Sequence, residues 1–180
     1  MRQAGFSLPE MLIALAIGSV LLLGAARMLP LLQYNNLQTL MRFQLQEELQ
    51  LIATTLEKAV RRAGYCKGEC AGKALSIGES GHCLLVRWDG NSNGRWEGGE
   101  NAESDLYGYR LREGSLEIQR GVDSCSGGGW EKVSDPATVL VEDFLVTRNE
   151  KQIRLRIAAS AKAFPQQKIA LERWITAGNL

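Results

Sequence analysis

Side chains whose oxygen atoms could bind a metal ion alternate along one short stretch of this 180-residue chain. The stretch begins at Asp89, and Gly94 follows three such side chains. It fits the pattern D-x-[DN]-x-[DN]-G-x5-E, in which alternate oxygens surround Ca²⁺ and the glycine makes a sharp turn. The pattern therefore predicts Ca²⁺ as a cofactor. The expected ligands are the side chains of Asp89, Asn91, Asn93, Glu97 and Glu100 and the carbonyl of Arg95.

A polar Asn-Gly turn between two strands is the alternative for this stretch. The flanking sequence reads as a strand and then a loop, whereas an EF-hand places a helix on each side of its calcium loop.

Four cysteines form the second group with possible chemistry: Cys66, Cys70, Cys83 and Cys125. An even number in a small domain outside the cytoplasm favours two disulfides. A zinc site is disfavoured because no Cys-x-x-Cys occurs and the chain has a single histidine. The spacing leaves the pairing open. We favour a local Cys66–Cys70 bond, with Cys83–Cys125 joining the sheet.

No catalytic constellation stands out in the sequence. The histidine, His82, is expected in a turn, and the glycines at 127–129 lack the lysine of a phosphate-binding loop. The 21 basic and 20 acidic residues give a net charge of +1, so a nucleic-acid footprint is not supported. We therefore predict that the protein is not an enzyme and does not bind nucleic acid.

A carboxylate stands at the start of a long apolar run near the N-terminus. Residues 6–26 are long enough to cross a bilayer, which takes roughly 20 residues as a helix. A charge in hydrocarbon is costly, so Glu10 either lies near the interface or has a partner. Cleavage after Gly5 would supply a partner, because Phe6 would then carry a new α-amino group. The basic Arg2 places the leader in the cytoplasm.

Helical periodicity continues beyond this run to Ala63, and Gly64 is suited to a helix C-cap. Strand patterns follow, and we expect them to form an antiparallel sheet that packs on the second half of the helix. The prediction is an α+β fold whose long N-terminal helix spans the membrane with its first half. Its parts are a leader (1–5), a membrane half (6–30), an amphipathic half (31–64) and a β-rich head (65–180). The expected strands cover 83–88, 106–112, 115–120, 139–148, 152–161 and 168–176.

The sequence GFSLPEMLIALAIG at residues 5–18 resembles the class III leader of type IV pilins and type II secretion pseudopilins. The resemblance implies that a prepilin peptidase cuts between Gly5 and Phe6 and methylates the new Phe6 amine. It also implies a pilin-like fold, in which the first half of the helix becomes the filament core. Glu10 would then guide the subunit into the growing filament.

Features of the remaining chain resemble the larger minor subunits of such filaments. They include the helix end at Arg62–Gly64, the cysteine-bearing loop, the Asp-x-Asn-x-Asn-Gly loop and a Gly-Gly-Trp before paired strands. The chain is similar above all to the prepilin peptidase-dependent protein B group, which is related to the pilus assembly protein W and pseudopilin J families.

This likeness implies a subunit that helps initiate a type IV pilus or a secretion pseudopilus. Its partners would be the prepilin peptidase, the major pilin and other minor pilins in a tip complex. It would sit in the inner membrane as a single-pass protein with its head in the periplasm, and at the filament tip after assembly. The alternative is a membrane-anchored periplasmic module, calcium-binding or adhesive, with an uncleaved anchor.

Overall fold

The structure, a computed structural model, describes residues 7–99 and 103–180. The chain divides into two compact units, Met1–Leu40 and Met41–Leu180, which are described separately. One helix, α1 (Leu8–Arg62), is followed by eight strands and a short 3-10 helix, η1 (Glu79–Gly81), among the described residues. The strands are β1 (Leu75–Gly78), β2 (Cys83–Arg87), β3 (Leu106–Arg112), β4 (Ser115–Arg120), β5 (Glu131–Lys132), β6 (Val139–Asn149), β7 (Gln152–Ala161) and β8 (Phe164–Thr176).

The first unit contains the apolar part of α1. Within the described chain, α1 is the helix that is long and apolar enough to cross a membrane. Its large apolar side chains are exposed: Leu21 is 68% and Leu22 is 72% accessible. Such a surface is stable only against lipid or other apolar surfaces, because its exposure to water is unfavourable.

The second unit contains the rest of α1 and two antiparallel sheets. One sheet has the strand order β1-β2-β3-β4-β5 and the other has the order β6-β7-β8. From the sequence we expected a single sheet, without β1 and β5. The four residues of β1 and the two of β5 are too few to show a strand's alternation. The sequence also predicts hairpin turns at 113–114 and 149–151, and both hairpins are present, with β3 paired to β4 and β6 paired to β7.

A stripe of α1 side chains forms the centre of the core. Leu49 is completely buried, and so is Phe144 of β6. The core cluster contains residues of both sheets as well as α1, so helix and sheets share one interior. The stripe repeats at steps of three or four residues, which keeps its members on one helix face: Leu45, Leu49, Ile52, Leu56 and Val60. The predicted packing of the helix on antiparallel strands is confirmed.

The end of α1 is fixed by contacts with the sheet and with the last residues of the chain. Gly64 has φ +88°, a left-handed conformation that favours glycine. Its N–H donates to the Arg87 carbonyl at 2.9 Å. The Asn179 side-chain amide donates to the Arg61 carbonyl at 3.2 Å, which satisfies one acceptor at the helix end.

The four cysteines form two disulfides in the head. Cys66 bonds to Cys70, and Cys83 bonds to Cys125 across 42 positions of sequence. This is the pairing that we favoured from sequence. The longer link ties the start of β2 to the loop after β4, and such a bond typically stabilises a fold by about 2–4 kcal/mol.

Two leucines close in sequence but on different faces of α1 allow the assignment of its buried face to be tested. Leu49 is 0% exposed whereas Leu51 is 69% exposed. Leu49→Ala should lower the free energy of unfolding of the head by about 2–5 kcal/mol, because it leaves a cavity. Leu51→Ala, the matched control, should change it by less than about 0.5 kcal/mol. Urea unfolding of the full chain in detergent, followed by tryptophan fluorescence, measures both. Equal losses in the two variants would contradict the assigned face.

Candidate functional site

The first candidate site is the beginning of α1. Ser7 directly precedes the helix, and Glu10 lies in its first turn. The backbone N–H and the hydroxyl of Ser7 both donate to Oε2 of Glu10 at 3.4 Å. This is half of a capping box, in which the acid at the third helical position reaches back to the residue before the helix.

This local role of Glu10 was not predicted, although Ser-x-x-Glu is the usual signature of a capping box. A carboxylate at this end of a helix also interacts favourably with the helix dipole. Glu10 forms no ion pair with any residue that the structure describes. Its hydrogen bonds are therefore local, and its charge has no cationic partner there. The predicted cleavage residues, Gly5 and Phe6, lie outside the described residues.

The second candidate site is the loop between β2 and β3, which is organised around Asp89. This carboxylate is 1% exposed. Its Oδ1 accepts the N–H of Asn93 at 3.0 Å, and its Oδ2 accepts those of Gly94 at 2.9 Å and Lys67 at 3.1 Å. The carboxylate thus holds the turn closed and ties it to the cysteine-bearing loop.

The same contacts set the acidity of Asp89. Burial raises the pKa of the carboxyl, but backbone N–H donors from Lys67, Gly94, Asn93 and Ser92 outweigh it. The pKa therefore lies below its ordinary value, because these donors stabilise the ionised form. Asp89 remains a carboxylate at neutral pH.

The other predicted calcium ligands also take part in hydrogen bonds within the loop. Asn91 Oδ1 accepts the Asn93 N–H at 3.1 Å, and Asn93 Oδ1 accepts the Arg95 N–H at 2.9 Å. The Asn93 side-chain amide donates to Oε1 of Glu97. These bonds are what a self-supporting polar turn requires. Glu100, the predicted bidentate ligand, lies outside the described residues.

A bound cation would explain the position of one carboxylate oxygen of the loop better than a simple polar turn does. Oε2 of Glu97 is buried and has no hydrogen-bond partner within the described chain. Carboxylate and amide oxygens are the ligands that Ca²⁺ prefers, and each hydrogen-bonded oxygen keeps a second lone pair. Within 7–99 and 103–180, no three His, Cys, Asp or Glu side chains cluster as metal ligands. A bound ion would therefore need amide and backbone oxygens beside Asp89 and Glu97.

Asp105 is a site residue that the sequence analysis missed. It is 1% exposed, and its carboxylate accepts the Gly90 N–H at 3.0 Å and the Glu97 N–H at 3.1 Å. The Asp105 N–H donates in turn to the Glu97 carbonyl at 2.8 Å. Asp105 therefore fastens the start and the end of the loop together. Nothing in the local pattern marks it, because a single acid before a strand has no signature.

The regions of this chain that match known proteins include the residues of both candidate sites. A family described as prepilin peptidase-dependent protein B matches residues 38–177, and the prokaryotic N-terminal methylation motif matches residues 1–26. A protein of Escherichia coli (strain K12) described as prepilin peptidase-dependent protein B is 42% identical over 184 residues, covering 99% of this chain and 98% of that protein.

A solved structure adds evidence on the fold. The chain is similar to a type IV-like pilin from Thermus thermophilus, with a TM-score of 0.51 and 16% identity. The match covers 76% of this chain and 98% of that one. At this level of identity the likeness concerns the fold, a long N-terminal helix with antiparallel sheets.

The lowered pKa of Asp89 leads to a prediction about acid stability. Its folded-state pKa lies below the unfolded value of about 3.9, so the carboxylate stabilises the fold above that value. The contribution is lost as the pH falls through the folded-state pKa. Asp89→Asn should therefore reduce stability at neutral pH, since its amide faces N–H donors, and the gap to wild type should narrow in acid. Urea midpoints across the pH range measure this gap.

The matched control is Asp123→Asn, because Asp123 is an exposed acid. This variant should follow the wild-type stability curve at every pH. A gap for Asp89→Asn that stays constant from neutral to acid pH would contradict the assigned hydrogen-bonding role.

Proposed function

The chain belongs to the prepilin peptidase-dependent protein B family, and on that premise we propose that it is a minor pilin or pseudopilin. It helps to initiate a type IV pilus or a type II secretion pseudopilus from a tip complex with the major pilin and other minor pilins. The fold and the family indicate a structural protein rather than an enzyme.

The observation that carries this proposal is the exposed apolar half of α1. No residue from Leu8 to Leu40 is buried, although this part of the helix is apolar enough for a membrane. The methylation motif and this helix indicate membrane anchoring with a head domain. In the proposed cycle, lipid covers the apolar surface before assembly, and neighbouring helices of the filament cover it afterwards. The head lies in the periplasm.

Leader cleavage would create the positively charged partner that Glu10 lacks among the described residues. We propose that the prepilin peptidase cuts between Gly5 and Phe6 and methylates the new amine. The resulting α-ammonium would lie a few residues from Glu10, on the same subunit or on a neighbour. In a low-dielectric environment such a pair is favourable, because each charge alone costs several kcal/mol. Support comes from the methylation motif over residues 1–26.

Two substitutions at Glu10 separate capping from charge. Glutamine also serves in a capping box, so Glu10→Gln keeps the bond to Ser7 but removes the charge. Glu10→Ala removes both. We expect each variant to insert into the membrane normally and to enter filaments at least about tenfold less than wild type, since an unmatched intramembrane charge is worth about 2.5–3.5 kcal/mol. Immunoblots of sheared filaments and membrane fractions measure this.

The mature N-terminus provides the control for that experiment. Mass spectrometry should find a methylated Phe6 in wild type and confirm that the leader is removed from both variants. Wild-type assembly of Glu10→Gln would show that Glu10 acts only as a helix cap. An intact Met1 in the wild-type protein would contradict processing and leave the anchored periplasmic module as the better hypothesis.

A second function, calcium binding by the loop from Asp89 to Glu97, is favoured by the buried and unpartnered Oε2 of Glu97. A bound cation would give this oxygen a partner and would be compatible with the ionised Asp89. The site would serve a module outside the cytoplasm, where calcium is high, either as part of the pilin head or as an adhesive surface.

Calcium should raise the unfolding midpoint of the full chain in detergent. A ligand at 100 times its Kd adds about 2.7 kcal/mol to the stability of the folded state. Glu97→Gln should remove most of this shift, and Glu131→Gln, an exposed acid on β5, should leave it unchanged. Magnesium is the ionic control, because it prefers a stricter octahedral geometry. An equal shift with both ions, or none with calcium, would contradict a calcium site.

A further inference from the structure

The strand β1 has an open edge. It is the first strand of the five-stranded sheet, and among the described strands its one partner is β2. The Arg87 N–H donates to the Ala74 carbonyl at 2.8 Å, so this carbonyl points towards β2. Antiparallel pairs alternate, so the N–H and C=O groups of Leu75 and Ile77 point away from β2. Two residues of β1 therefore present backbone donors and acceptors to the outside.

This edge lacks two of the features that usually keep sheet edges from pairing, charge and proline. Its sequence, Leu-Ser-Ile-Gly, contains no charge and no proline, and its pairing register with β2 is regular. Both edge strands of the other sheet carry charges: β8 has Lys168 and Glu172 as well as Pro165, and β6 has Glu142 and Asp143. The far edge of the five-stranded sheet, β5, is only two residues long. Charges, proline and shortness each discourage strand addition, and β1 relies only on its four-residue length.

The open edge faces a cavity of about 890 Å³, which we call the β1 trough. Its walls are β1, the loop closed by the Cys66–Cys70 disulfide, Trp96, Arg148 and the last two residues, 179–180. A cavity of this size is in the range of binding clefts. A strand added here would have walls beside it.

The charges around the trough favour an acidic occupant. Lys73 and Arg148 line it, are exposed and form no ion pair with the described residues. Arg87 lies beside Trp96, and its Nε is buried without an acceptor in the described chain. Glu69 is the acidic side chain among the described lining residues.

We propose that the β1 trough binds an extended acidic segment of a partner protein, which adds to the five-stranded sheet as a strand alongside β1. Backbone hydrogen bonds to Leu75 and Ile77 would hold the segment, and its carboxylates would face Lys73 and Arg148. In strand addition the main chain supplies affinity and the side chains supply specificity. This inference goes beyond a role in initiation, because it assigns the head its own partner surface.

Three labelled eight-residue peptides test the proposal against the full chain in detergent, with fluorescence anisotropy as the readout. One alternates threonine with glutamate, one alternates threonine with lysine, and one is the acidic peptide with N-methylated amides. The acidic peptide should bind at least about tenfold more tightly than the other two. Equal binding of the methylated peptide would overturn strand addition, and equal binding of the basic peptide would overturn the acidic partner. Failure of all three to bind would overturn the whole proposal.

Substitutions locate the binding surface. Ile77→Pro removes an N–H that points away from β2. Ile77→Ala keeps this N–H but, like Ile77→Pro, removes the packing of the isoleucine side chain. The first should abolish binding of the acidic peptide, and the second should retain it. Lys73→Glu and Arg148→Glu, at exposed positions, should weaken binding without altering the unfolding midpoint. Unchanged binding in all four variants would overturn the assigned site. Self-association of the wild type that is lost in Ile77→Pro would identify a second copy as the occupant instead.

Discussion

Burial of one face of α1 is the contact on which the head depends. The two sheets share no strand, although β6 contacts β2, β3 and β4 of the larger sheet, for example where the Val141 N–H donates to the Gly114 carbonyl at 2.8 Å. Leu45 to Val60 fill the space over both sheets and belong to the same core cluster. A single helix therefore holds together two sheets that hydrogen bonding alone would leave loosely joined. The same helix, at lower residue numbers, has apolar side chains with no cover from the described chain.

The sequence was sufficient for the features that depend on local periodicity. The helical repeat through Val60, the glycine after its end and the hairpin at Glu113–Gly114 are all present as expected. The division into two sheets was not predictable in this way, because strand order depends on which edges meet in space. β1 also escaped prediction, since four uncharged residues show no alternation.

In the candidate sites too, contacts between sequence neighbours were predictable, and contacts between residues distant in sequence were not. The pattern from Asp89 to Glu97 identified which oxygens gather in one loop, because their spacing is local. It did not identify Asp105 or the N–H of Lys67, which reach the loop from positions distant in sequence. A polar turn and a calcium loop also share a pattern, since both use carboxylates to hold backbone N–H groups. The buried Oε2 of Glu97 is visible only in three dimensions.

The capping contact at Glu10 does not remove the need for a counter-charge. Hydrogen bonds from Ser7 satisfy an acceptor oxygen, but they bring no positive charge to the carboxylate. Transfer of a charge into hydrocarbon is costly even when a hydrogen bond is kept, because the electric field still extends into a medium of low dielectric constant. A cation must therefore approach, or the carboxylate must stay at the interface. Capping fixes where the carboxylate lies at the helix start, and the proposed cleavage after Gly5 would create an amine only four residues before it in sequence.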